Sequence, residues 1–335
     1  MKVFKLNLPL YLVLILVCGA FAGGKYILSS GKSVSTIPQM ANTCPAAMDQ
    51  VRLKDFELTR PLILTDVNNE SDALKSIHGK IIEYVNQAKA NQKASDISVY
   101  FRKLDNGSWF AINPNATYNP ASMIKIAYLI TYMKMAESNP SLLNSKIFFS
   151  KRNSAIINQN IKDFTLKEGK NYTVKELLTA MIAHSDNDAT LLLNQNMNIS
   201  IFNNLFKDLN IPVPNPVTEY YISVNDFCKF YRVLYSSTYT RPEYSEYALK
   251  LLTLSTFNNG LKKGLDPDIV IAHKFGERIM GNKTQLHEFG IVFYNKEPYL
   301  IGVMTSGNSL PLLSEIIGDI SKIAYQDYKA LSSIY

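Results

Sequence analysis

The sequence predicts an α+β protein in which one antiparallel sheet is assembled from both ends of the chain. Period-two strand patterns occur early, return in the last third, and are separated by an almost wholly helical block. Strands at both ends with helices between them favour one sheet that the C-terminal strands complete. Terminal helices are expected to flank this sheet, and the inserted block is expected to form an all-helical subdomain.

The first helix and the first two strands are predicted between residues 71 and 112. Alternating side chains in residues 97–101 indicate a half-buried strand, Asp105-Asn106-Gly107 a hairpin turn, and residues 109–112 the return strand. Before them, a helix of about 20 residues is predicted from helical spacing. The apolar residues with that spacing are Leu74, Ile77, Ile81, Ile82 and Val85.

Helices dominate the middle of the chain. Residues 121–137 are almost wholly apolar and predict a helix that is buried on nearly all sides. Thr173 with Glu176 forms a capping box, and Ser223 with Asp226 indicates another helix start. The last third then returns to strands, predicted at residues 269–272, 289–293 and 299–305, and ends in a helix predicted at residues 312–331.

Residues 1–28 are predicted to be a signal peptide or a membrane anchor. Lys2 and Lys5 precede an apolar run from Leu8 to Gly23, and Ala20-Phe21-Ala22 matches a cleavage site. Cleavage and anchoring therefore stay alternatives. Both place the remaining chain outside the cytoplasm, and the anchor would contact the membrane.

Residues 29–70 are predicted to be a tether followed by an extended segment of unknown role. The folded domain is expected at residues 71–331. Residues 71–120 and 260–331 would form its α/β part, and residues 121–259 its helical part.

Composition excludes several function classes. The formal net charge is +7, but the lysines are scattered, so a solvated basic surface is favoured over nucleic-acid binding. The four histidines form no metal-binding motif, and we expect neither a metal nor an organic cofactor. Cys44 and Cys228 could pair in an oxidising compartment, which the sequence leaves open.

Three short motifs carry the chemistry. Ser122-Met123-Ile124-Lys125 places a hydroxyl and an amine on one helix face, where burial would lower the amine pKa and make it a base for the serine. Ser185-Asp186-Asn187 follows at the end of a helix. Lys274-Phe275-Gly276 lies on a predicted inner strand of the sheet.

The order S-x-x-K, S-D-N, K-F-G resembles that of class A β-lactamases and the related penicillin-binding proteins, whose third motif is usually K-T-G or K-S-G. The resemblance covers about residues 71–331. It implies the β-lactamase and D,D-peptidase fold, a serine acyl-enzyme, and a bacterial cell-envelope location.

The resemblance also implies roles. Ser122 would attack the substrate carbonyl, with Lys125 as base or proton relay. Ser185 would pass a proton to the leaving nitrogen, Asn187 would bind the substrate amide, and Asp186 would fix the loop.

The third motif would complete the site. Lys274, followed by Phe275 and Gly276, would supply positive charge for a substrate carboxylate and would hold Ser185. The backbone N–H groups of Ser122 and Glu277 would form the oxyanion hole.

Two departures from the family pattern stand out. Phe275 replaces the usual hydroxyl residue, so carboxylate recognition is expected to be weaker or to come from elsewhere. The loop that carries the deacylating glutamate in class A β-lactamases is shortened to residues 210–222, and Glu219 is its only carboxylate. Glu219 is therefore the candidate deacylation base, with a solvated loop carboxylate as the alternative.

These features predict an exported, monomeric serine hydrolase that opens β-lactam amides through a Ser122 acyl-enzyme. The alternative is a penicillin-binding D,D-peptidase or transpeptidase that acts on D-Ala-D-Ala-type wall peptides and releases β-lactams slowly. An alternative of another class is a non-catalytic ligand-binding or sensor domain on the same scaffold.

Overall fold

A computed structural model describes most of the chain. The described residues are 48–53, 61–67, 70–152, 160–215 and 217–332. The predicted signal peptide or anchor lies outside these ranges, as does Cys44. Among the described residues, no helix combines the length and the apolar character needed to cross a membrane.

In the described part of the chain, the strands pair antiparallel in four sheets. In chain order they are β1 (Met48–Arg52), β2 (Leu62–Val67), β3 (Asp96–Lys103), β4 (Trp109–Ile112), β5 (Thr117–Tyr118), β6 (Lys146–Phe149), β7 (Lys170–Thr173), β8 (Ile222–Ser223), β9 (Val270–Met280), β10 (Lys283–Phe293) and β11 (Tyr299–Gly307). The α-helices are α1 (Lys75–Ala90), α2 (Lys125–Ser138), α3 (Val174–Ala183), α4 (Asn187–Asn196), α5 (Ile199–Asp208), α6 (Val224–Tyr235), α7 (Pro242–Leu252) and α8 (Leu310–Ser332).

The central sheet has five strands in the order β4-β3-β11-β10-β9, all antiparallel to their neighbours. The junction between the two chain ends is the β3–β11 ladder, where Val99 lies opposite Val303. The predicted fold class, with one sheet built from both ends of the chain, is confirmed.

Each face of the sheet packs against its own layer of helices. On β3, Val99 and Phe101 belong to the core that the sheet shares with α1 and α8, whereas Tyr100 belongs to the core shared with the helical part. Alternation of side chains along a strand produces this division. The terminal helices therefore flank the sheet as predicted, and the inserted helices cover its other face.

Three features of the structure differ from the sequence predictions or add to them. Ile82 is 39% exposed, because only one stripe of α1 meets the sheet. The extended segment of unknown role contains β1 and β2, which pair with each other. Strand β9 lies at the edge of the sheet, so the prediction of an inner strand is wrong. An edge strand leaves one row of backbone groups without a strand partner.

The predicted helix starts are present. Thr173 Oγ1 accepts a hydrogen bond from Glu176 N–H at 3.1 Å, and Glu176 Oε2 accepts one from Thr173 N–H at 2.7 Å. Ser223 Oγ accepts one from Asp226 N–H at 3.2 Å. Reciprocal capping of this kind satisfies donors that a helix leaves unpaired at its N-terminus. On α6, Cys228 is buried and its thiol donates to Asn225 O.

Candidate active site

Ser122 lies in a 3-10 turn, Ala121–Ile124, directly before α2. Ala121 has a φ of +47°, a left-handed conformation that residues other than glycine rarely adopt. Its N–H donates to Asn119 Oδ1 at 2.9 Å. Unfavourable backbone conformations persist where surrounding contacts impose them, and they cluster at active sites. The apolar segment that the sequence predicted as one helix therefore starts with a tight turn that carries the half-buried Ser122.

His287 on β10 holds this turn against the sheet. Its Nε2 lies 3.1 Å from Asn119 O, and its Nδ1 accepts from Thr305 N–H at 3.0 Å. One partner is an acceptor and the other a donor, so the imidazole is neutral and protonated on Nε2. Burial lowers its pKa to about 3, which keeps it neutral. Sequence reasoning missed His287, because an isolated strand histidine carries no motif.

Lys125 joins the first two motifs. Its Nζ donates to Ser185 O at 2.5 Å, to Asn187 Oδ1 at 2.7 Å and to Ser185 Oγ at 3.2 Å. The side chain is only 3% exposed. Burial lowers the pKa of the amine to about 7, against the opposing effect of the Asp186 and Glu277 charges. A substantial fraction of the amine is therefore neutral at neutral pH and able to accept a proton.

The Ser185 loop connects α3 to α4 and is rigidly held. Ser185 is fully buried and has a φ of +56°. Asp186 is the N-cap of α4, and its Oδ1 accepts from Ala189 N–H at 2.7 Å. Its own N–H donates to Ala180 O at 3.0 Å. These bonds fix the orientation of the two side chains that meet Lys125.

Lys274 on β9 is fully buried. Its Nζ donates to Phe275 O at 2.9 Å and lies 4.2 Å from the centre of the Phe275 ring. Burial and the neighbouring Lys125 charge lower its pKa well below the ordinary value. The Phe275 ring stacks on Phe257 at 4.3 Å and is 3% exposed. The residue that replaces the usual hydroxyl is thus part of the core behind the strand.

Gly276 permits β9 to lie directly against the Ser122 turn. A Cβ at this position would lie 2.5 Å from Pro120 O and 2.8 Å from Met123 N. Such distances are far below van der Waals contact, so any side chain would push the strand and the turn apart. The third motif therefore packs against the residues on both sides of Ser122.

Glu277 follows Gly276 and binds a segment of the helical part. Its Oε1 accepts from the N–H groups of Asn160 and Ile161, both at 2.8 Å. The other end of this segment contacts His184, the residue before Ser185: Asp163 lies 3.2 Å from its Nδ1, and the Phe164 ring stacks on it at 4.7 Å. Residues 160–164, called the bridging segment below, thus connect β9 to the Ser185 loop.

Glu219 makes its contacts with residues outside the three motifs. Its Oε2 accepts from Tyr221 OH at 2.6 Å, and its Oε1 forms an ion pair with Arg278 near the end of β9. The side chain is 45% exposed. Hydrogen bonds from Tyr221 and Arg278 lower its pKa, which makes it a weaker base. Within the described ranges no hydrogen bond or ion pair joins Glu219 to Lys125, and the role of Glu219 as deacylation base stays a prediction.

The predicted site residues that come together are therefore those of the three motifs and Glu277. Within the part of the chain that the structure describes, no group of three or more histidine, cysteine or acidic side chains is placed to hold a metal ion. The arrangement offers a serine hydroxyl, a buried amine of lowered pKa, and a strand edge beside them. Those parts suit acyl transfer through a serine nucleophile.

Comparison with known proteins agrees with this chemistry. The model of the β-lactamase enzyme family matches residues 80–328. No curated protein sequence is significantly similar to the chain. A mutant of PBP-A, solved as an acyl-enzyme complex with penicillin G, is 21% identical, covers 77% of this chain and 97% of its own, and has a TM-score of 0.64.

Two β-lactamases are similar to the same extent. The enzyme from Chitinophaga pinensis is 18% identical over 74% of this chain and 99% of its own, with a TM-score of 0.64. The TLA-3 extended-spectrum β-lactamase is 15% identical over 75% and 98%, with a TM-score of 0.66. At such identities these structures establish the fold. Because the family model spans most of the sequence, the chain belongs to the β-lactamase enzyme family and is a serine β-lactamase-like hydrolase.

Proposed function

We propose that Ser122 opens the amide of a β-lactam, or of a D-Ala-D-Ala-type peptide, and forms a covalent acyl-enzyme. The observation that carries this proposal is the Lys125 amine, buried one helical turn after Ser122, with a pKa of about 7. A serine hydroxyl needs a base at neutral pH, and a desolvated lysine is one. The solved acyl-enzyme of PBP-A with penicillin G lends support from a protein of the same fold.

Residues of the three motifs can carry out every proton transfer that this reaction needs. Neutral Lys125 takes the Ser122 proton as the serine oxygen bonds to the carbonyl carbon. The oxyanion is bound by the N–H groups of Ser122 and Glu277. The carbon–nitrogen bond then breaks, and the proton passes from Lys125 through the Ser185 hydroxyl, 3.2 Å away, to the leaving nitrogen. Water later hydrolyses the ester and restores Ser122.

Release of the acyl group separates the two candidate activities. A β-lactamase needs a base that activates water at the ester, whereas a penicillin-binding enzyme keeps the adduct. Glu219 is held by Arg278 and Tyr221, is largely exposed, and has a lowered pKa. This environment favours the penicillin-binding alternative, with a long-lived adduct, over rapid β-lactam hydrolysis.

The test is incubation of the full-length protein with a fluorescent penicillin and a chromogenic cephalosporin, followed by intact-mass measurement. A lasting adduct that Ser122→Ala removes supports the penicillin-binding activity. Rapid turnover without a lasting adduct supports a β-lactamase instead. If neither occurs and Ser122→Ala still binds the ligand, the protein is a non-catalytic binding or sensor domain.

We also propose that the domain works outside the cytoplasm, in the cell envelope. The apolar run from Leu8 to Gly23, after Lys2 and Lys5, supports this location. Fusions of a reporter enzyme that is active only after export, placed after residue 47 and, as control, after residue 5, test it. Activity of the longer fusion alone is expected, and equal inactivity of both fusions would contradict export.

A further inference from the structure

Arg278 lies on the same face of β9 as Lys274 and Gly276. The ladder between β9 and β10 continues without a bulge from one end of β9 to the other, so these three alternate residues share one face. Gly276 packs directly on the turn that carries Ser122. Because residues two apart on a strand are separated by about 7 Å, the Arg278 side chain begins one strand repeat beyond that contact.

The ion-pair partner of Arg278 is also attached beside the nucleophile. Glu219 lies three residues before Ile222 of β8, which pairs with Tyr118 of β5. The chain leaves β5 directly into the turn that carries Ser122. The ion pair between Glu219 and Arg278 therefore connects two segments that both border the Ser122 turn.

The guanidinium group of Arg278 has donors left for a ligand. Its Nη2 donates to Glu219 and to Met280 Sδ, whereas Nε and Nη1 donate to no acceptor within the described ranges. The Arg278 side chain is 25% exposed and that of Glu219 45%, so solvent screens their ion pair and a ligand can replace it. A guanidinium group binds a carboxylate through two parallel hydrogen bonds. Arg278 can therefore bind an anionic group beside Glu219 or in its place.

The Ser185 loop borders the other half of β9. Ala183, two residues before Ser185, accepts hydrogen bonds from Thr256 N–H at 3.0 Å and from Thr256 Oγ1 at 3.1 Å. The next residue, Phe257, stacks on Phe275 at 4.3 Å. The loop is therefore tied to β9 before the strand reaches its contact with the turn of the nucleophile.

A substrate consequently presents its two parts to different halves of β9. In the proposed mechanism Ser185 passes a proton to the leaving nitrogen, so the leaving group faces the Ser185 loop and the first half of the strand. The acyl part stays bonded to Ser122 and extends in the other direction, toward Arg278. A charged substituent on the acyl part then approaches the unused donors of the guanidinium group.

We infer that Arg278 determines specificity and selects acyl donors that carry a carboxylate on the acyl part, the part that remains bonded to Ser122. The inference rests on the proposed function, since it names a substrate class of the same site. Glu219 pairs with the guanidinium group in the free protein, and the substrate carboxylate displaces or joins it. Acyl donors with an uncharged acyl part gain nothing from Arg278 and react more slowly.

The test uses a matched pair of penicillins, benzylpenicillin and α-carboxybenzylpenicillin, which differ by one carboxylate on the acyl side chain. The rate of Ser122 adduct formation on the full-length protein is measured by intact mass for each. We expect the carboxylated penicillin to react faster. Arg278→Gln should lower the ratio of the two rates about tenfold, because the carboxylate loses a charge-assisted partner. Arg241→Gln, the same charge change at the start of α7, should leave the ratio unchanged.

Three further variants test the assignment in other ways. Glu219→Gln removes the internal competitor and should raise the ratio about threefold. Arg278→Lys retains the charge, so part of the preference should remain even if Arg278→Gln folds poorly. Lys162 is an exposed amine on the bridging segment. If Lys162→Gln abolishes the preference and Arg278→Gln does not, the bridging segment binds the carboxylate and the inference is wrong. It is equally wrong if the unmodified protein reacts faster with benzylpenicillin.

A binding measurement separates this inference from the proposed chemistry. If neither penicillin labels Ser122, the proposed acylation is wrong. The specificity is then read from NMR titrations of Ser122→Ala with the same two penicillins. Tighter binding of the carboxylated penicillin, lost in the double variant with Arg278→Gln, supports the inference. Equal affinities, tighter binding of benzylpenicillin, or no binding of either compound overturns it.

Discussion

Lys125 and Glu219 could both act as bases, but they differ in burial, in hydrogen-bond partners and in the consequence of their pKa shifts. Lys125 is buried, has three directed acceptors, and has a pKa lowered to about 7. Glu219 is 45% exposed, pairs with Arg278, and has a lowered pKa. A lowered pKa makes a lysine available as a base at neutral pH but weakens a carboxylate as one. At neutral pH the fold therefore favours Lys125 over Glu219 as a base.

Loss of the Lys125 amine is expected to have the largest effect on this contrast. Lys125→Ala should slow Ser122 acylation on the order of 10³-fold, because the serine loses its base. Circular dichroism should show the same helix content. Lys134→Ala on the same helix, where Lys134 pairs with Glu137, is the matched control. An acylation rate within a few-fold of the unmodified protein would remove Lys125 from the mechanism.

A side chain at Gly276 should disturb acylation through geometry alone. Gly276→Ala places a Cβ 2.5 Å from Pro120 O, so the Ser122 turn must move away from β9. Displacements of about 1 Å at a reacting group cost about 100-fold in rate. Gly79→Ala on α1 is the control, because nothing lies within 4 Å of its added Cβ. Equal acylation rates in the two variants would show that β9 does not position the nucleophile.

The pH dependence of acylation should report the Lys125 pKa. The neutral amine is the reactive form, so the rate should be level above the pKa of about 7. Below it, protonation of the amine should lower the rate about tenfold for each pH unit. Stopped-flow labelling with a fluorescent penicillin between pH 5 and about 9 measures this profile. A rate that is flat across pH 7 would mean that another group accepts the serine proton.

Glu219 is expected to give the smallest effect. Glu219→Gln removes the ion pair with Arg278, which is exposed and screened by solvent, and should change the lifetime of the acyl-enzyme by less than about twofold. Decay of the penicillin adduct, followed by intact mass, provides the measurement. A lifetime that increases a hundredfold or more would identify Glu219 as the deacylation base and restore the β-lactamase as the leading function.

Much of the fold could be predicted because its signals are local. The capping box at Thr173 and Glu176 lies within four residues, and strand alternation around Val99 within seven. The prediction of an inner strand for Lys274 was wrong. An edge strand and an inner strand have the same apolar sequence pattern when helices pack on both faces of the sheet. Ile82 shares the helical spacing of the buried residues of α1 and is nevertheless exposed, because spacing does not say how wide the packed stripe is.

The residues of the candidate site also fall into those that sequence motifs predicted and those that only the structure revealed. Ser122, Lys125, Ser185 and Lys274 could be named from three motifs in order. His287, which holds Asn119, and the bond from Glu277 to the bridging segment could not. Contacts between residues more than a hundred positions apart produce no recognisable spacing in the sequence. Such residues meet only when the helices pack against the sheet.

The sequence by itself determined the strands of the central sheet, several of the helices, the candidate nucleophile with its lysine, and the family resemblance, because each depends on residues near one another or on an ordered set of motifs. Only the tertiary structure decided the electrostatics. Burial lowers the pKa of Lys125, the ion pair with Arg278 occupies Glu219, and the packing of β9 leaves an oxygen of Glu277 without a donor. Desolvation and charge pairing depend on distances in space, and those distances are set when distant segments pack.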